Sequence, residues 1–152
     1  MTTVTNSYHV WIKAPVKTVF TYVSDLSRHP EWSGGRLKVQ ALSSDPIAVG
    51  KQYVSHGDVA NQKDRPNQVR VIEYLPPTRF AFIAKDPDFG NVPHTFTFTP
   101  KDGGTLLERT VAVTLSPARA FLFRVLIRPL VGKPLMDKAL AKLKVKLEEH
   151  TP

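Results

Sequence analysis

"HTFTFTPKDGGTLLERTVAVTL", residues 94–115, alternates apolar and polar side chains on both sides of the break "KDGG". Period-two alternation describes a strand with one buried face, and an Asp-Gly break of this length is a hairpin turn. The stretch is therefore two antiparallel strands. The chain then changes period. "SPARAFLFRVLIRPLVGKPLMDKALAKLKVKLEEH", residues 116–150, reads as a long helix opened by Ser116 and Pro117. Pro129, Gly132 and Pro134 predict a kink or break near 129–134. Beyond them Leu135, Ala139, Leu140, Leu143 and Leu147 form an apolar stripe. Packing such a stripe supplies most of a helix's stability, so a large apolar surface must lie beneath it. The sheet is the available surface.

The segments before the hairpin supply the rest of that sheet. "TVTNSYHVWIKA" (3–14), rich in β-branched and aromatic residues, is a strand. "APVKTVFTYVSD" (14–25) is a short amphipathic helix, with Pro15 at its first position and Val16, Val19, Phe20 and Val23 on one face. "SRHPEW" (27–32) adds one more turn, with Ser27 as cap and Pro30 near its start. After Gly34-Gly35 the period returns to two in "RLKVQALS", "GKQYVSHG", "NQVRVIEY" and "RFAFIAK", with "LPPT" and the turn-rich "DPDFGNVP" as connections. Sequential strands with short loops pair antiparallel. The order is an α+β architecture: a strand, two short helices, a run of strands and a long C-terminal helix.

A chain of 152 residues suffices for one domain with a substantial core, and residues 1–152 are expected to be a single domain. Its lack of cysteine excludes disulfides, thiolate zinc sites and a cysteine nucleophile. The opening "MTTVTNSYHVWIKAP" lacks the basic and apolar regions of a signal peptide, so a soluble cytoplasmic protein is expected. The net charge of +8 invites a nucleic-acid or membrane reading. However, Arg119, Arg124, Arg128, Lys133, Lys138, Lys142, Lys144 and Lys146 alternate with apolar residues, as on a solvated helix face. No nucleic-acid-binding motif is present, and no nucleic-acid partner is expected.

"APVKTVFTYVSDLSRHPEW" (14–32), "VIEYLPPTRFAF" (71–82), "GGTLLERTV" (103–111) and "LAKLKVKLEE" (140–149) together resemble the START-like (SRPBCC) superfamily, and within it the polyketide cyclase/dehydrase-like branch. The resemblance covers nearly the whole chain. It implies the helix-grip fold, a curved antiparallel sheet wrapped around the C-terminal helix, with a cavity between them for a small hydrophobic or aromatic ligand. It also implies that residues 27–35 form the corner at the cavity's narrow end, with Trp32 a plug there. Neither a cofactor nor a metal is expected. Monomer and homodimer both stay open.

Several side chains are candidates for chemistry. Alternation puts Leu107, Arg109, Val111, Val113 and Leu115 on one face, so Arg109 sits among apolar neighbours and must be paired or wet. Facing a cavity, it would hold a carboxylate or polarise a carbonyl. His94 shares a face with Phe96 and Phe98 and could shuttle a proton. These two are the catalytic candidates. His56 and Asp58 lie two apart, but a metal would need a third ligand, and none is placed beside them. Glu73 and Glu108 could be read as paired carboxylates, but Glu73 belongs to the "EYLPP" joint, where the resemblance implies a structural role.

Pocket walls are expected from Phe80, Phe82, Phe96 and Phe98, with Tyr53, His94 and Arg109 as orienting groups. Trp32, His56, Phe89 and Phe121 complete the ligand-binding set, Phe89 as part of a gate. Phe121, Leu122, Phe123 and Ile127, with Arg124 and Arg128, also suit weak contact with an anionic membrane. Ligand binding is the leading reading. A polyketide cyclase or dehydratase and lipid handling at a membrane are its rivals.

Overall fold

The hairpin of residues 94–115 joins β6 (Gly90–Lys101) to β7 (Gly104–Leu115). Lys101 pairs with Gly104, which leaves Asp102 and Gly103 as a two-residue turn with φ of 51° and 75°. Two successive positive φ values match the right-handed twist of the flanking strands, and Asp-Gly tolerates them. Gly104 is required for a different reason. A Cβ there would lie 2.4 Å from the Ile12 carbonyl oxygen and 2.8 Å from the Trp11 ring.

The computed structural model describes residues 1–33, 37–59, 62–86 and 89–149. Around the hairpin stand β1 (Thr2–Ile12), β2 (Lys38–Ala41), β3 (Gln52–Val59), β4 (Gln62–Leu75) and β5 (Arg79–Asp86). The seven strands form one antiparallel sheet in the order β1-β7-β6-β5-β4-β3-β2. Register shifts between Gly57 and Val59 and between Val71 and Glu73 interrupt the ladder. Such irregularities bend and twist a strand, as a curved sheet requires.

Between β1 and β2 come α1 (Val16–Ser24) and a 3-10 turn, Leu26–Glu31. Val19, Phe20 and Val23 are buried, as the helical spacing predicts. Two details differ. Pro15 is the extended residue just before α1 rather than its first helical residue. The second helix is capped by Asp25, whose Oδ1 accepts from the Ser27 backbone N–H at 3.2 Å and from the Ser27 hydroxyl. A carboxylate accepts both bonds at once, so Ser27 becomes the donor.

The C-terminal helical segment runs without interruption from Pro117 to Glu149: α2 (Pro117–Leu122), a π-helical stretch (Phe123–Gly132) and α3 (Lys133–Glu149). The expected break does not occur. Proline lacks a donor, and the π register lets the backbone absorb this by bonding further back, as when the Lys133 N–H reaches the Arg128 carbonyl. The wider turns also delay the helical phase. Leu135 is consequently 63% exposed, whereas Ala139, Leu140, Leu143 and Leu147 are buried. α3 packs on β1, where Lys144 Nζ donates to the Trp11 carbonyl at 2.9 Å and Glu148 accepts from the Lys13 N–H at 2.9 Å.

Two strands are longer than alternation suggests. β4 begins at Gln62, in a polar run drawn into the sheet by pairing with β3, and β6 begins at Gly90, where "GNVP" pairs with β5. The result is a curved seven-stranded antiparallel sheet and a long C-terminal helix, an α+β fold of helix-grip type.

Candidate functional site

The site begins with a register. His94 on β6 stands opposite Val111, and Arg109 on β7 stands opposite Phe96. His94 and Arg109 are thus diagonal neighbours on one face, within reach of a long side chain. The Arg109 Nη2 donates to His94 Nδ1 at 3.0 Å. Because a guanidinium only donates, Nδ1 holds the lone pair and the imidazole proton sits on Nε2. On its other side His94 stacks on Phe82, with ring centroids 4.7 Å apart and an interplanar angle of 13°.

Across from this pair lies the 3-10 turn. Its His29 is buried, and Nε2 donates to the Val23 carbonyl at 2.8 Å, which fixes the opposite nitrogen as the lone pair. Trp32, fully buried, packs on His29 at 4.8 Å and on the edge of Phe96 at 6.4 Å. The Arg109 guanidinium lies 5.1 Å from the Phe96 centroid and 5.9 Å from that of Trp32. Aromatic faces attract a cation, so Arg109 is held by π surfaces and a neutral histidine.

A cavity of about 160 Å³ opens between the turn and the sheet. Leu26, His29 and Ser33 line it from the corner, Leu37 and Val39 from the approach to β2 and from β2 itself. Ser55, Val69, Phe82, His94 and Arg109 line it from β3, β4, β5, β6 and β7 in turn. It lies beneath the 27–33 corner, and no α3 residue is on this wall, in contrast to the expected position against the C-terminal helix. The physical reason is the packing of α3 on β1, at the opposite edge of the sheet from β2 and β3.

Burial sets the electrostatics. It pushes His29 down to about 3, against the pull of its hydrogen bond to Val23 and with help from the Arg109 charge. Burial and Arg109 hold His94 well below the ordinary imidazole value. Both rings are therefore neutral at pH 7. Burial lowers Arg109 to about 10, which leaves it cationic. With its Nδ1 lone pair engaged by Arg109, His94 presents Nε2–H as a donor beside the guanidinium. Arg109 and His94 can hold a carboxylate or polarise a carbonyl.

The expected site residues are dispersed. Phe82, His94 and Arg109 line the cavity; Trp32 and Phe96 stand directly behind Arg109. Tyr53, Phe80 and Phe98 are core residues away from the wall, and burial pushes the Tyr53 phenol up to about 12. His56 is on β3, paired with Lys38 and Pro66, and is not on the wall either. Phe89 packs in a second cluster with Val4, Leu115 and Ala120, under the Arg119 guanidinium, and does not reach the cavity as a gate would. Phe121 is 67% exposed.

The Asp58 side chain and Gly34-Gly35 lie outside the described residues. Among the described residues no group of three or more His, Cys, Asp or Glu is placed to hold a metal. Glu73 pairs with Arg79 at 2.5 Å while Glu108 is exposed two strands beyond Arg79, so they form no carboxylate pair. Sequence reasoning missed His29, Leu26, Ser33, Leu37, Val39, Ser55 and Val69. A signal existed only for His29, a lone imidazole beside Pro30 in the corner that the resemblance places near the cavity.

A curved sheet with a small, mostly apolar cavity and a cationic end defines a ligand-binding class of fold. The chain belongs to the polyketide cyclase/dehydrase and lipid transport family, whose model matches residues 1–148. No curated protein matches it. Among solved structures it is similar to TTHA0849 from Thermus thermophilus, with 18% identity, a TM-score of 0.76 and coverage of 98% of this chain and 100% of that one. It is also similar to the di-domain ARO/CYC StfQ of the steffimycin biosynthetic pathway, with 14% identity and a TM-score of 0.75. That match covers 97% of this chain and 52% of StfQ. Among the described residues no helix is long and apolar enough to cross a membrane.

Proposed function

We propose that residues 1–152 act as one domain that binds a small hydrophobic or aromatic molecule in the corner cavity. The observation that carries this reading is an apolar wall of Leu26, Leu37, Val39, Val69 and Phe82 closed at one end by Arg109 and His94. Apolar walls with a few convergent polar groups are the usual make-up of a small-molecule site. A volume of about 160 Å³ suits a single ring, since cavities of roughly 150 Å³ accept benzene. The test is calorimetric and thermal titration with p-cresol, toluene and benzamide. Saturable stabilisation of the native chain, abolished in a Val69→Phe variant that fills the cavity, is expected. No response to any of the three overturns the reading.

A cyclase or dehydratase is the alternative activity. Arg109 and the His94 Nε2–H would polarise a substrate carbonyl, without His94 acting as base. Drug-sized ligands occupy roughly 300–1,000 Å³, so the smaller cavity favours binding of one ring over folding of an extended chain.

Contact with an anionic lipid surface is supported by a separate observation. Phe121, Leu126, Leu130, Val131 and Leu135 are exposed along one helical segment that also carries Arg124 and Lys133. An apolar stripe flanked by cations fits the boundary of an anionic bilayer. Co-sedimentation with phosphatidylglycerol vesicles at low salt is expected, reduced by Leu126→Asp with Leu130→Asp. Absence of binding at low salt removes this reading.

A further inference from the structure

We propose that the ligand of the corner cavity is a small monocarboxylate, whose two oxygens accept from the Arg109 guanidinium and the His94 Nε2–H on the cavity wall. The inference rests on the binding reading above and adds the charge of the ligand to it.

Arg109 is 6% exposed and has no acidic partner among the described residues. Its Nε has no hydrogen-bond partner. Its register neighbours are Tyr8 and Phe96, a phenol and a phenyl ring. Buried charges are ordinarily paired, and a buried cation beside a cavity without a counter-ion leaves room for one from outside.

The neighbouring polar groups point to the same chemistry. The His94 tautomer set by Arg109 presents an Nε2–H. The Trp32 indole N–H is also buried without a partner, but it lies behind the guanidinium and off the cavity wall, so a ligand in the cavity does not meet it. His29 has spent its proton on Val23. The cavity wall holds no Asp or Glu among the described residues. Uncommitted hydrogens thus outnumber lone pairs at this end, with Ser33 and Ser55 able to serve as either. A neutral carbonyl would accept one or two of these bonds and leave the charge uncompensated. A carboxylate does both, since the guanidinium fork matches its two oxygens. The apolar remainder of the cavity takes one ring or a short branched chain.

Benzoate and benzamide differ in charge at nearly equal shape and are the probes. Isothermal titration at pH 7.5 is expected to show benzoate binding about 30-fold more tightly than benzamide, the difference expected for charge-assisted hydrogen bonds. Arg109→Met is expected to abolish that preference by weakening benzoate far more than benzamide. Arg109→Lys keeps the charge without the fork and is expected to retain part of it. Equal binding of the two probes to the native chain overturns the carboxylate assignment and leaves the cavity reading standing. Binding of neither probe, nor of p-cresol or toluene, overturns both.

Discussion

Arg109 and His94 sit diagonally across the β6–β7 ladder, and the 3.0 Å hydrogen bond between them fixes the protonation of both. The arginine can only give a proton, so the histidine must receive at Nδ1 and can offer only Nε2–H. One bond thereby turns two side chains into a set of donors at the end of an apolar cavity.

Stability should fall below neutral pH, and His29 should account for a large share. Its folded value is lowered from 6.5 to about 3, so the unfolded chain takes up a proton that the folded chain refuses. The associated stability is complete above pH 6.5 and is lost as pH falls towards 3. Between pH 7.5 and 5 the loss from His29 is about 2 kcal/mol. His94, shifted in the same direction, adds to it. Urea midpoints at the two pH values measure the slope, and His29→Gln should flatten it. An unchanged slope in that variant would show that another group carries the pH dependence.

Arg109→Met should raise the melting temperature of the ligand-free protein, by about 1–3 kcal/mol of added stability. Methionine removes the desolvation cost of a cation without an acidic partner and keeps contact with Phe96 and Trp32. Calorimetric melting measures this. A lower melting temperature would mean that the cation holds the corner together.

Gly104→Ala should cost about 2–3 kcal/mol through overpacking at the start of β7. Shrinking Trp11 to Phe should not rescue it, because the nearer obstacle is the Ile12 carbonyl oxygen at 2.4 Å, part of the backbone. Chemical denaturation of the single and double variants decides between these outcomes.

Thr105→Val should cost about 1–3 kcal/mol at nearly constant volume. Thr105 is fully buried, and its hydroxyl donates to the Ala14 carbonyl at 2.8 Å, tying β7 to the entrance of α1. A valine leaves that carbonyl without its partner. Full stability in the variant would mean that water or a shifted neighbour replaces the bond.

The fold was legible because its signals are local. Period-two alternation marked 94–99 and 105–115, an Asp-Gly break marked the turn, and Val16, Val19, Phe20 and Val23 marked α1. Errors arose where pairing overrides pattern. Polar Gln62 and Gly90 open strands because a neighbouring strand offers hydrogen bonds, and Pro129 fits a continuous helical segment through the π register.

The sequence by itself determined the order of elements, which residues of β6 and of β7 share a face, and the placing of Arg109 among apolar neighbours, since each depends on residues a few positions apart. Only the tertiary structure decided that the Arg109 guanidinium meets His94, Phe96 and Trp32 rather than a glutamate. It alone placed the cavity under the 27–33 corner, lined from six strands, and kept Phe89 and Phe121 away from it. The physical reason is distance along the chain. A pattern read over ten residues says which side of a strand is apolar, but sheet curvature and packing set which distant side chains close around one space.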